Sequence, residues 1–497
     1  MLVSVALFVL GTKLLFIRSF GSAVPYWDQW DAEADLLYKP YLNSDLSFSA
    51  LFSSHNEHRI LITRILALVL FELNGGWDPI LQMVVNAVLH VGAIIVLLLI
   101  LRRIVQPASL IYLILFSALL FALPIGWENL LGGFQSQFYF LVIFSFLALL
   151  SIAGSRGFSI GWWGGLLFSV AAFFSMASGA LTGAAVIIVS SAQILTGRRK
   201  GGREYIAVGF LCLATIVMML SIENRPYHEI YKAHSVSDFA GALVRCLSFP
   251  RLSPVLGIWV SMPAFIYLVV IMIARPLRRS SHWILLGIVV WLFAQEVSLA
   301  YGRAVLINSP RYLDLIILCL PVNFAILLLA QSWMTSGRAR AFMVLATSIW
   351  LCVVIPALVW NAVTSSGPAV VSKGQQAQEQ ERSVLSYLQT RNLAVLQSKP
   401  GLAIPYPSPE RLAALLSDQV IRMTLPDSLR PRNELDDQKR ADRMLLKGKL
   451  HEYVDWLGKQ ALRSAHVLVG IAISLAFAVG MFGALQWHCT EQQKVDI

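Results

Sequence analysis

Apolar runs of about 17 to 23 residues recur along most of the chain, and each, wound as a helix, is long enough to cross roughly 30 Å of hydrocarbon. They predict about twelve transmembrane helices, near 1–20, 80–101, 108–124, 134–153, 160–176, 179–196, 205–222, 255–274, 283–300, 312–333, 341–362 and 465–486. No train of short alternating segments of the closed-barrel kind appears. One further apolar run, 60–73 within "HRILITRILALVLFEL", is too short to cross comfortably and is accompanied by Arg59, Arg64 and Glu72. It reads as an interfacial helix lying along the membrane surface. Polar positions gather at 364–464, where "PSPERLAALL" has the form of a helix start, with Ser408 as cap and Pro409 in the first turn.

Composition fits this pattern. Of 497 residues, 57% are hydrophobic and 13% charged, and the mean hydropathy is +0.68. The class is therefore an all-α integral membrane protein. The expected organisation is a multi-span module over 1–362, in which 21–79 is a first external loop with surface helices. A small, mostly helical external region over 363–464 follows, and 465–497 gives a last span and short tail. The N-terminal run resembles a signal peptide in length but has no positive leading segment and no clear small-residue cleavage site, so it reads as the first span. The five cysteines, Cys212, Cys246, Cys319, Cys352 and Cys489, have no paired spacing, so neither a disulfide framework nor a metal site is implied.

The net charge of +11 does not call for nucleic acid, because the basic residues sit mainly in short loops between spans. With 60–73 excluded from the spans, Arg102 and Arg103, Arg156, the run Gly197 to Arg203, the run Arg275 to Arg279, and Gly337 to Arg340 all fall on one side. The positive-inside rule makes that side cytoplasmic. The opposite, external side receives 21–79, 125–137, 223–254, 301–312 and the polar region 364–464.

That face holds the residues able to do chemistry. Asp28 and Asp31 stand three apart in "AVPYWDQWDAEAD"; if the chain turns helical after Pro25 they share a face, and one can accept a proton while the other orients a substrate or cation. The competing reading is a solvated acidic loop, with Tyr26, Trp27 and Trp30 in the aromatic belt. "HNEHR" packs His55, Glu57, His58 and Arg59 into five residues, with Asn56 placed to cap the helix that follows. The His55–His58 spacing suits metal ligands, but no partner cluster completes a zinc site. Glu128 in "GWENL" ends a span, and Gly132, Gly133 and Gln135 follow in a stretch that is either a turn or a close approach to a ligand. Arg303, Arg311 and Tyr312 in "YGRAVLINSPRYLDL" place guanidinium groups where few are expected, suited to a phosphate, to lipid headgroups or to pairing with Asp314. Arg225, Lys232, His234, Arg245 and Arg251 are weaker candidates, and Asp35 reads as solvated.

The layout resembles the GT-C superfamily of membrane glycosyltransferases, in the branch of protein O-mannosyltransferases and the lipid A aminoarabinose transferase. The resemblance rests on "DQWD" after the first span, on "HNEHRILITRILALVLFELNGG" as a surface helix ending in glycine, on Glu128 as a second acid, and on "SPRYLDLIILCLP" leading into a late span. The first loop lacks the adjacent Asp-Glu pair of the protein mannosyltransferases, and "HNEHR" replaces two prolines. What the resemblance implies is inverting transfer of a sugar from a polyprenyl-phosphate donor to a hydroxyl of an envelope acceptor: lipopolysaccharide, a lipid-linked glycan or a protein. The site would lie on the external, periplasmic face of a bacterial plasma membrane, amid its lipids. Asp28 or Asp31 would be the base. Glu57, Glu128, His55, His58 and Gln135 would position substrate, and Arg311, Tyr312, Arg303 and Arg59 would hold the phosphate. A divalent cation, Mg or Mn, held by Asp28, Asp31 and Glu128 is one arrangement, and a metal-free site is the other. The rival readings are a polyprenyl-linked glycan transporter or flippase, and an O-antigen polymerase or ligase.

Overall fold

A computed structural model describes residues 1–250, 254–397, 399, 403–430 and 433–495; side chains are described to residue 480, except those of 254–256. Arg251 and the Cys489 side chain lie outside the described residues. Helices dominate the fold, and nine among the described residues are long and apolar enough to cross a membrane. Each of the remaining predicted runs is also a helix, in a different form. Pro107–Ala122 and Ile160–Phe173 have 16 and 14 residues, which at 1.5 Å per residue fall short of a full hydrocarbon thickness. The run expected at 465–486 belongs to a pair, His451–Arg463 and Ala465–Gly480, bent by 53°.

The first helix, Leu2–Phe20, packs along the last one, Ala465–Val495, and the contact requires glycine. A Cβ on Gly11 would lie 2.8 Å from the Ala465 carbonyl oxygen, so only the bare backbone allows the approach. Helix Pro79–Leu101 is the next neighbour of Leu2–Phe20. Helix Gly337–Asn361 continues through a π-helical turn, Ala362–Ser366, into Gly367–Thr390, so the boundary expected at 362 falls inside one long helical rod.

Charge separates the two ends of the bundle. At one end the loops after Ala153, Leu195 and Ala274 meet: Arg199 pairs with Glu204 at 2.8 Å and donates to the Ser155 carbonyl, while Gln193 donates to the Arg278 carbonyl. Arg102 and Arg103 follow the far end of Pro79–Leu101, and Arg338 and Arg340 open Gly337–Asn361. The basic loops thus share one end, as expected. The first loop, 125–137, 223–232, 301–312 and the polar region meet at the other.

At that end the first loop and the polar region form a single apolar core. Val24, Trp30, Leu37, Tyr38, Phe71 and Trp77 pack with Tyr387, Ile404, Leu412, Leu416, Ile421 and Leu429. The surface helix, Leu61–Asn74, is closed by Gly75 at φ 69°, a left-handed cap that glycine adopts without steric cost. Helix Pro409–Ser417 starts where the sequence predicts, with Ser408 accepting from the Arg411 N–H.

Candidate functional site

The segment after Pro25 winds as a π-helix, Trp30–Tyr38, preceded by a turn in which Trp27 adopts φ 51°. The winding is set from inside. Glu33 is buried and accepts from Trp77 at 2.9 Å, from Gln82 at 2.9 Å and from Gln29 at 3.1 Å. Burial raises its pKa to about 7 against the pull of these three donors. Sequence reasoning passed over Glu33, which the structure buries on the same element as Trp30 and Tyr38.

This geometry separates Asp28 from Asp31, which were expected on one face. Asp28 faces His55, with its Oδ1 3.5 Å from Nε2. Asp31 turns to the polar region, accepting from the Tyr406 hydroxyl at 2.6 Å and from Arg411 at 3.0 Å. Asp35, expected in solvent, also accepts from Arg411 at 2.7 Å. Asp28, Asp31 and Glu128 therefore do not assemble as a cation site, and among the described residues no group of three His, Cys, Asp or Glu side chains is placed to hold a metal.

Asp28, Glu128, Gln135 and Arg311 line one chamber with Tyr26, Trp27 and Phe134; its free volume is about 20 Å³. Arg311 forms a forked ion pair with Glu128, and the same carboxylate accepts from the Ser309 hydroxyl at 2.9 Å. Beneath it, Asn129 ties the Arg311 carbonyl at 2.8 Å to Asp314 at 2.9 Å. Asp314 thus orients the arginine segment without pairing with Arg311 itself. Burial works to raise the Asp28 pKa, but His55, Arg311 and His58 outweigh it and hold the carboxyl below its ordinary range. Burial, with Glu128 nearby, pushes Tyr26 up to about 12.

"HNEHR" does not cap the surface helix. That helix begins at Leu61, and Asn56 takes φ 53° in a tight turn whose ends, His55 and His58, exchange backbone hydrogen bonds at 2.8 and 3.0 Å. The turn aims its side chains in different directions. Glu57 pairs with Arg303 and accepts from His228 Nδ1 at 2.7 Å. His58 Nδ1 accepts the Ala177 N–H at 3.3 Å. Its Nε2 lies 3.6 Å from Glu57, which fits a neutral ring with the proton on Nε2. Burial takes His58 down to about 4. For Glu57 burial works upward, but His58, Arg303 and His228 prevail and bring it to about 2. Arg59 turns away toward the Phe52 and Ser221 carbonyls and Glu223, so it does not join Arg311.

Glu57, His58, His228, Lys232, Arg303 and Tyr312 form the polar wall of a second chamber of about 480 Å³. Its other wall is apolar, with Phe138, Leu181, Met219, Leu299 and Leu315. Consecutive residues line the two spaces: Arg311 lines the small chamber and Tyr312 the large one, where its hydroxyl accepts from Arg303 at 3.2 Å. The sequence singled out Arg303 and Lys232 but missed His228, which lies in a short 3-10 helix, Pro226–Tyr231, with no local motif. Lys373, also missed, sits 3.2 Å over the Tyr26 ring. Comparison with family models, curated proteins and solved structures returns no match for this chain.

Proposed function

We propose that the protein is an inverting glycosyltransferase that uses a polyprenyl-phosphate sugar and works at the external face of a bacterial plasma membrane. The observation that carries this reading is the pair of chambers flanking Arg311 and Tyr312. One is amphiphilic and large enough for a sugar phosphate with the start of its lipid. The other holds an ionised carboxylate beside a guanidinium. In this mechanism the phosphate lies against Arg303 and Tyr312, and the acceptor hydroxyl approaches Asp28. Asp28 takes the hydroxyl proton as the oxygen bonds to C1, the C1–O bond breaks, and the electron pair leaves on the lipid phosphate. Arg311 and Arg303 stabilise the charge that gathers there, which is where fixed cations act most strongly. The small chamber admits only a water-sized guest, so productive binding parts Arg311 from Glu128 and hands the guanidinium to substrate.

The test is purified protein in lipid nanodiscs with a radiolabelled polyprenyl-phosphate sugar and candidate acceptors. Wild type releases free lipid phosphate as label reaches the acceptor, and Asp28→Asn loses at least about 100-fold in rate with unchanged melting temperature. Wild-type turnover in Asp28→Asn rejects the mechanism. A transporter reading draws on one feature, the interruption between Pro310–Ile316 and Cys319–Trp333 in a buried span, since broken helices mark many transporter sites. Movement of label across the bilayer without bond cleavage would favour it.

A further inference from the structure

The turn that carries Asp28 is held by the polar C-terminal region from three directions. Its backbone is unusual: Trp27 has φ 51°, a left-handed conformation that crowds the Cβ of a bulky residue. Such a residue keeps its conformation where the surroundings over-determine it. Here the surroundings are residues from 373 to 411. The Trp27 N–H donates to the Pro405 carbonyl at 2.8 Å. The Lys373 ammonium lies on the Tyr26 ring. Asp31 receives the Tyr406 hydroxyl and the Arg411 guanidinium, and the same guanidinium reaches Asp35.

We infer that region 363–464 is a clamp that sets the position of the Asp28 carboxylate, with Arg411 and Tyr406 as positioning residues for the transfer reaction. This rests on the reading of Asp28 as the base. Neither residue lines the small chamber, so each acts through the turn. The pairs of Arg411 are partly exposed, at 43% against 29% and 23%, and pairs of that kind contribute little to stability. The apolar core beneath them holds the fold when they are removed. What they fix is geometry, through a fork that spans two carboxylates and that lysine cannot reproduce.

The experiment compares wild type, Arg411→Lys and the double variant Arg411→Ala with Tyr406→Phe, as full-length protein in nanodiscs. The double variant lowers kcat about 100-fold, the scale of a misplacement of about 1 Å, with donor KM within about twofold and melting temperature nearly unchanged; Arg411→Lys falls between. Hydrogen exchange of the peptide covering Tyr26 to Asp28 speeds up at least tenfold on the order of a lost local restraint. A rate loss that merely follows the folded fraction, a wild-type kcat, or unchanged exchange in the double variant each overturns the clamp. If wild type transfers no sugar, the reading of Asp28 fails separately, and exchange alone decides whether the clamp holds the turn.

Discussion

Arginine–glutamate pairs at opposite ends of the bundle have nearly the same chemistry and opposite surroundings. At the basic end Arg199 and Glu204 are buried, with side chains 2% and 6% exposed. The guanidinium is closed in by the Ser155 and Ile152 carbonyls and Gln193, and the Glu204 carboxylate also takes the Gly157 N–H. At the other end Arg311 and Glu128 face a chamber, and beside them Arg303 and Glu57 face a larger one. The closed pair stitches three loops together. The open pairs line chambers, so the same two residue types make a staple in one place and the wall of a cavity in the other.

Truncation separates these roles. Arg199→Ala leaves Glu204 buried with only Arg278 at 3.5 Å and the Gly157 N–H and costs up to about 3 kcal/mol of stability, the scale of removing one partner of a buried charged group; the yield of folded protein and its melting temperature read this directly. Arg311→Ala acts on rate instead. Transfer falls about 100- to 1000-fold, as for loss of one transition-state donor, while melting temperature stays within a few degrees because Glu128 keeps Ser309 and access to the chamber. Equal loss of stability in both variants would make the Arg311 pair a staple as well, and the proposed site would lose its anion-binding group.

Acid separates the ends more gently. His58 is held neutral, with a folded-state pKa of about 4 against 6.5, so the unfolded chain binds its proton first as pH falls. Stability is at its full value above about 6.5 and declines until about 4. Glu57, depressed to about 2 from 4.5, adds a second decline between those values. Each shift is worth no more than about 3.4 kcal/mol. Urea midpoints measured from pH 7 to 4 should fall, and His58→Gln should flatten the upper part of the curve. An unchanged curve in that variant would remove His58 as the cause.

Helical periodicity made the membrane class and the two ends legible, because every long apolar run had to become a helix and every short loop carried its charge openly. Asp28, Glu57, Glu128, Arg303 and Arg311 were also legible, since charged residues at span ends are rare enough to notice. Pairing was not. Asp28 and Asp31 parted because a π-helix replaced the expected α-helical turn, and the cause, Glu33 with Gln29, Trp77 and Gln82, spans 53 positions of sequence. His228 and Arg411 carry no local signature either. Their roles come from tertiary contacts with Glu57 and Asp31 across 171 and 380 positions.

The smallest effect concerns the seam between the first loop and the polar region. Lys39 pairs with Asp418 at 2.8 Å and lies 3.6 Å from Asp35, with about a third of its side chain exposed. Removing Lys39 with alanine should cost less than about 1 kcal/mol, and less still at high salt. Asp418→Ala should cost somewhat more, since Asp418 also accepts the Val420 and Ile421 N–H groups at a helix start, a contact worth about 1 kcal/mol. Neither change touches the Trp27 turn, so sugar transfer per folded molecule should stay near wild type. The seam thereby supplies the control for Arg411, which crosses the same boundary through the same kind of ion pair. If Lys39→Ala slowed transfer as much as the Arg411 and Tyr406 double variant, the effect would belong to the seam at large, and Arg411 would have no particular hold on Asp28.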